Sequence, residues 1–296
     1  MQEMEQRESA NNANPYEFLL AGVISLRATS FVFSKLLLQS LGTFNLLAIR
    51  FLLAFFLLAL LFHKRMAKIT KKEAFSGLLI GTLFFLVMSC EMTALKQAET
   101  SLVSLLENCS IILVPVLEAV LLRRLMGKTE LLSALIAMAG VFCLAASKGS
   151  LSGGVTFGLL AAFFYACAIL VTGKLAKDAP DPLAIGIIQV GTMGTLSLIA
   201  ALGKGGFSLP QGGRQWLFLA ILAVICTGFG FTLQPVAQSK VSVKRAGLFC
   251  AINPAVASLI GIVFLHERMT LLSVLGLILI LFSIALPHLL KRPADS

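Results

Sequence analysis

Five ionisable residues stand out within apolar runs of helix-forming length: Arg27, Lys35, Arg50, Glu91 and Glu107, of which Lys35 is close enough to the surface to reach water. Arg27 is the deepest. At a rise of 1.5 Å per residue it lies about 18 Å from the far end of its run, near the middle of a bilayer-length segment. A charge at that depth costs at least about 2.5–3.5 kcal/mol on insertion scales, so folded protein must offset it. A guanidinium so placed can clamp a substrate carboxylate through two parallel hydrogen bonds. It can also pair internally with Glu91 or Glu107 and join helices. A buried ion pair roughly breaks even against apolar packing, so both roles stay open. Glu91 and Glu107 could accept a substrate amino group or a coupling proton, since carboxylates facing low-dielectric cavities hold protons more readily. Their alternative role is to neutralise Arg27 and Arg50. Ser30, Asn108, Tyr165 and Asn253 are neutral hydrogen-bonding groups inside apolar runs. They are further candidates to touch a substrate, or they join helices at under about 2 kcal/mol each.

Other chemistries find no residues to carry them. His63, His266 and His288 fall at the ends of apolar runs, no aspartate lies inside one, and there is no HExxH pattern. The six cysteines lack CxxC spacing and read as small apolar residues. No catalytic group, metal site or cofactor is expected, so the chain does not read as an enzyme. Without a Walker A pattern, ATP cannot be its direct driving force.

These side chains need elements to hold them. Of 296 residues, 58% are hydrophobic and 13% charged, with mean hydropathy +0.94; a soluble domain carries about twice that charge. The chain reads as an all-α membrane protein. Ten spans are expected, at about 17–38, 44–62, 74–94, 101–122, 131–147, 153–173, 182–202, 214–236, 246–265 and 271–290. With the N-terminus placed in the cytoplasm, sixteen Lys and Arg residues fall in cytoplasmic segments and five outside. The positive-inside rule therefore puts both termini in the cytoplasm. It also accounts for the net charge of +10, because no basic helix alternates with aromatic stacking residues as nucleic-acid binding would require. Residues 1–15 are polar, without a basic start or a small-residue cleavage site, and read as a disordered cytoplasmic tail.

The chain also echoes itself. Leu131-Leu132-Ser133-Ala134-Leu135 returns as Leu271-Leu272-Ser273-Val274-Leu275, 140 residues later. Pro115 matches Pro254, and Lys35 matches Lys174, each at a separation of 139. One spacing shared by three features argues for a duplicated five-span unit, 16–147 and 153–290. Five is odd, so the second copy must be inverted, a recurrent transporter plan with its site between the halves. At the same offset Arg27, Arg50, Glu91 and Glu107 face Ala166, Gln189, Gly230 and Ala246. The charge belongs to one half, as expected if it serves a ligand rather than the scaffold.

Thr29 to Leu37 has the form Thr-x-Phe-Val-x-x-Lys-Leu-Leu, and span two contains Ile49-Arg50-Phe51-Leu52-Leu53-Ala54. Spans four and nine carry internal prolines, the latter in Ala251-Ile252-Asn253-Pro254-Ala255, and Phe264-Leu265-His266-Glu267-Arg268 precedes Leu271-Leu272-x-x-x-Gly276. This set resembles the drug/metabolite transporter superfamily, in its ten-helix branch of EamA-type permeases. The resemblance implies ten helices, cytoplasmic termini, a central cavity, and movement of amino acids, their derivatives or other small metabolites, often outward. It also implies a scaffold role for Arg50. Arg27 stands where such proteins often have tryptophan, and the first half has Met126-Gly127-Lys128-Thr129 where the second has Glu267.

The expected protein is thus a secondary carrier of small polar metabolites in the bacterial cytoplasmic membrane, most naturally an amino-acid exporter. A carrier for organic anions or for drug-like or quaternary amines is the alternative. Its partners are substrate and lipid, with protons as a candidate coupling ion, and it would act as a monomer or weak homodimer. Pro115 and Pro254 each remove a helical hydrogen bond and are hinge candidates. Gly22, Gly81, Gly140, Gly158, Gly194 and Gly276 would let helices approach closely. Reporter fusions check the orientation. A C-terminal fluorescent protein should fluoresce, whereas alkaline phosphatase should be active when inserted near Lys204 and inactive at the C-terminus.

Overall fold

The computed structural model describes residues 15–121, 127–147, 153–241, 252–265 and 270–289. The expected N-terminal tail lies almost wholly outside the described residues, as does the 148–152 junction. Among the described residues every regular element is helical. The helices are α1 (Pro15–Leu37), α2 (Thr43–Leu61), α3 (Lys71–Gln97), α4 (Thr100–Leu121), α5 (Lys128–Ser147), α6 (Gly153–Lys177), α7 (Pro182–Gly203), α8 (Gly213–Lys240), α9 (Ile252–Leu265) and α10 (Leu271–Leu289), with a short turn His63–Met66 after α2. Among the described residues seven are long and apolar enough to cross a membrane: α1, α2, α3, α4, α6, α7 and α8. Shorter apolar stretches occupy α5 and α10.

Two helices are not uniform. α4 consists of Thr100–Asn108 and Ser110–Leu121, interrupted at Cys109. Pro115 lies inside the second piece, so the discontinuity falls more than one turn before the proline expected to cause it. Pro254 is the third residue of α9 as described. α8 contains a π-helical turn, Leu222–Phe229, between α-helical segments, and Pro235 lies within its last segment.

Helix α7 organises the packing against α2, α3 and α8. Small residues make this possible. A Cβ added to Gly81 of α3 would come within 2.6 Å of Thr192 Cβ and 2.7 Å of the Gln189 carbonyl oxygen on α7. One on Gly194 would come within 2.8 Å of the Leu52 amide nitrogen on α2, and one on Gly158 of α6 within 2.8 Å of Leu106 on α4. Gly186 approaches the Thr232 carbonyl of α8 so closely that no side chain fits. With lipid outside and protein inside equally apolar, close backbone approach supplies the attraction between helices. Gly22 does not conform: nothing lies within 4 Å of its position, because it occupies an exposed face of α1.

The helix ends meet as the loop charges require. Asp181 caps α7 by accepting from the Leu183 amide (3.2 Å), and it pairs with Arg65 at 3.2 Å. Glu73 closes a capping box with Thr70 at the start of α3 and accepts from the Asp181 amide at 2.8 Å. These loops, α2–α3 and α6–α7, are both expected in the cytoplasm. Across the molecule Asn45 donates to Ser208 at 2.7 Å and Gln215 to Ser40 at 3.0 Å. The α1–α2 and α7–α8 loops they join are both expected outside. Lys35 donates to the Ala98 carbonyl at 3.1 Å, just past the end of α3, where a cation complements the helix dipole.

Gly81→Leu should lower the thermal midpoint of detergent-solubilised protein, by an overpacking cost of about 1–3 kcal/mol or more. Gly22→Ala should leave that midpoint unchanged or slightly raised. A fluorescence-monitored melt of the two variants compares them directly.

Candidate functional site

Arg27 sits midway along α1 on its buried face, 8% exposed. Its Nη1 donates to the Tyr165 hydroxyl of α6 at 2.9 Å and to Gln234 Oε1 of α8 at 2.9 Å. Its Nη2 lies 3.8 Å from Glu107 Oε1 of α4, well beyond the 2.7–2.9 Å of a charge-assisted hydrogen bond. The guanidinium carbon is 4.4 Å from the ring centre of Phe231, 5.0 Å from that of Tyr165 and 5.6 Å from that of Phe84. These distances allow cation–π attraction, which strengthens when water is excluded. The rings brace one another: Phe84 and Phe231 meet edge to face at 5.5 Å, as do Phe51 and Phe231.

The stem of Arg27 crosses α8 at Gly230. A Cβ there would lie 2.9 Å from Arg27 Cγ. Gly230 is the counterpart of Glu91 at the 139-residue offset, so where the first half carries a carboxylate the second has no side chain and the Arg27 stem takes the space.

Arg50 is fully buried in α2. Its Nε donates to Thr227 Oγ1 at 2.7 Å and its Nη1 to Ser34 Oγ at 3.4 Å. Its guanidinium carbon stands 5.1 Å from the Phe51 ring centre and 5.9 Å from that of Phe231. Phe231 is therefore shared by both arginines. Glu91, 2% exposed, lies within electrostatic reach of Arg27, Arg50 and Glu107. Two guanidiniums and two carboxylates thus occupy one buried region and balance formally.

A cavity of about 10 Å³ lies beside Arg27, with room for about one water molecule. Arg27, Ser30, Glu91, Tyr165 and Asn253 all line it, with Ile24, Phe31, Met88 and Phe231 as its apolar wall. Five of the eight substrate-site candidates therefore meet around one hollow fed by α1, α3, α6, α8 and α9. Glu107 stands behind Arg27 rather than on the wall. Arg50 is held away from the hollow by Thr227 and Ser34. Asn108 does not join: its amide donates to the Ser104 carbonyl of its own helix at 2.7 Å. Pro115 is off the cavity wall, and the side chain of Pro254 lies outside what the structure describes.

Sequence reasoning missed Phe84, Thr227, Gly230, Phe231 and Gln234. One signal was available. Gln234-Pro235 is a polar, helix-breaking pair inside an apolar run, and such pairs mark cavity-lining backbone in membranes. The phenylalanines carry no comparable mark among 22 of their kind.

Comparison with known proteins gives concordant results. The model of the EamA-like transporter family matches residues 14–146 and again 152–287. An uncharacterized transporter from Archaeoglobus fulgidus is 26% identical over 195 residues, spanning 65% of this chain and 68% of that protein. Two proteins of Bacillus subtilis are also similar. The uncharacterized transporter YxxF is 27% identical over 74% of this chain and 71% of its own length. The uncharacterized transporter YetK is 24% identical over 94% and 88%. A solved crystal structure at 17% identity superposes with a TM-score of 0.68, covering 96% of this chain and 100% of its own, which shows a common fold.

The Tyr165 hydroxyl holds Arg27 without filling otherwise empty space. Tyr165→Phe should therefore fold normally and, where Arg27 is a ligand-binding group, weaken that ligand's binding by about tenfold through the loss of one hydrogen bond to a charge. Ligand-induced thermal stabilisation of wild type and variant measures that difference.

Proposed function

The chain belongs to the EamA-like transporter family of the drug/metabolite transporter superfamily and is a multi-pass membrane protein, and from that premise we propose that it is a secondary carrier exporting amino acids or similar zwitterionic metabolites by alternating access. The observation that carries this reading is the company Arg27 keeps. A guanidinium faces a small cavity together with the carboxylate of Glu91, the hydroxyls of Ser30 and Tyr165, and the amide of Asn253. Opposite charges on one cavity wall suit a ligand bearing both an anionic and a cationic end. The loose contact with Glu107 supports a guanidinium able to exchange partners, since a locked structural pair would sit closer.

The alternative cargo is an organic anion, with the glutamates only balancing charge. Quaternary amines fit less well. They are held by aromatic faces, and here the faces of Phe84, Tyr165 and Phe231 already point at Arg27.

We read the chain as ten spans in two inverted units. Helix pairing supports this: α3 packs on α6 as α1 packs on α8, and α4 packs on α6 as α1 packs on α9. So does the double match of the family model, which divides the chain at 147–151. The hollow then lies between the units, where such carriers bind. The cavity admits about one water, so the described conformation is closed, and carrying requires α1, α8 or α9 to part. The cytoplasmic membrane of a bacterium is the proposed setting. Protons are the proposed coupling ion, with Glu107 and Glu91 as the groups that take them up.

Counterflow in proteoliposomes against panels of L-amino acids, organic acids and quaternary amines tests the reading. Arg27→Ala should reduce flux of the transported class at least about a hundredfold while the protein still inserts, because a lost charge-assisted clamp is worth about 3 kcal/mol. Wild-type flux in Arg27→Ala would end the proposal. Glu107→Gln should flatten the pH dependence of flux if this carboxylate moves the proton; an unchanged profile would remove it from that role.

A further inference from the structure

Helix α8 meets the two buried arginines along one line of side chains. Thr227, Gly230, Phe231 and Gln234 are spaced i, i+3, i+4 and i+7, which places them on one helical face. Thr227 accepts from Arg50, Gly230 lies under the Arg27 stem, Phe231 takes both guanidiniums and Gln234 accepts from Arg27. Whether this face points at α1 and α2 depends on the turn before it. Leu222–Phe229 is π-helical. A π-turn closes on residue i+5 and so holds one residue more than an α-turn. If it relaxed to α-helix, the segment beyond would rotate by about 100° and shift by about 1.5 Å relative to Gly213–Ile221. Phe231 and Gln234 would leave Arg27.

A wide turn is not the default winding, so neighbouring helices must stabilise it. Thr227 lies inside the turn and takes the 2.7 Å bond from Arg50 Nε. Cys226, also inside it, is 3.5 Å from Thr29 Oγ1 of α1. A Cβ added to Gly228 would lie 3.3 Å from the Ala223 carbonyl oxygen, so a larger residue would crowd the wide bore.

We propose that Arg50 and Thr227 are positioning residues: their hydrogen bond holds the π-turn of α8 in the register that keeps Phe231 and Gln234 on Arg27, so that breaking it uncovers the Arg27 guanidinium. This gives Arg50 a task distinct from substrate contact, in keeping with its place off the cavity wall. The consequence for transport rests on the reading of Arg27 as the substrate-binding group. The register itself does not.

The test needs no substrate. Phenylglyoxal, a small arginine reagent, is applied to the full-length solubilised protein, and labelling at Arg27 is quantified by mass spectrometry against exposed Arg65 as internal reference. Thr227→Val keeps the shape of the side chain and removes the acceptor. It should raise relative labelling of Arg27 by about tenfold, the equilibrium effect of losing one hydrogen bond to a charge. Thr227→Ser keeps the acceptor and should label as wild type. Thr227→Val deleted for Val224, a lipid-facing residue of the π-turn, loses the extra residue and should regain low labelling, because an α-turn then delivers the same face without help. Equal labelling of wild type and Thr227→Val overturns the proposal. So does equal labelling of Thr227→Ser and Thr227→Val, which would assign the change to packing rather than to the hydroxyl. If Arg27→Ala transports normally while these labelling results hold, the substrate reading fails and the register stands.

Discussion

Two guanidiniums buried among apolar helices impose the main constraint on this fold. Taking each out of water costs several kcal/mol even after relaxation, and lipid can repay none of it. The repayment comes from several helices at once. α6 gives a hydroxyl, α8 an amide oxygen, a second hydroxyl and a shared ring, α3 another ring, and α4 a carboxylate. Arg27 and Arg50 keep their charge, and protein groups take the place of water around them only while these helices stay assembled. The cluster therefore couples the positions of helices that lie far apart in sequence, and α1 and α8 are the most tightly tied.

The glycines serve the same end by another route. Cation–π contact at 4.4 Å requires α8 to lie close against α1, and that closeness needs Gly230 where the arginine stem crosses. α7 in turn holds α8 through Gly186 and holds α2 and α3 through Gly194 and Gly81. The small residues set distances, and the charged and aromatic ones use them.

Much of this was legible in the sequence because burying a charge is costly and therefore conspicuous. Arg27, Arg50, Glu91 and Glu107 stood out against apolar runs, and all four lie in one buried region. Helix extents were also legible, since an apolar run bounded by charged loops has few ways to fold in lipid. The neutral partners were not. Phe231 resembles any other phenylalanine in an apolar helix, and Thr227 owes its place to a π-turn that no local residue preference announces. Asn108 shows the opposite error. A polar side chain in a span can satisfy itself on the preceding turn of its own helix, and periodicity cannot distinguish that from facing a cavity. Pro115 is a related case: α4 is interrupted at Cys109, so the proline's lost hydrogen bond is absorbed inside a continuing helix.

The closed cavity bears on how such a site can open. Parting α8 from α1 breaks the Gln234 hydrogen bond to Arg27 and removes the nearest ring from its face. The open form must therefore be the minor state unless something replaces those contacts. A ligand shifts such an equilibrium only by its differential affinity for the two forms. A carboxylate offers the guanidinium two parallel acceptors in place of one amide oxygen, and it can do so only after Gln234 has withdrawn. Binding and opening are then one process, and a neutral ligand of similar size would lack the means to drive it. On the proposal that Arg27 binds the substrate, selectivity for an anionic group follows from the energetics of uncovering Arg27, before any detail of the pocket's shape is considered.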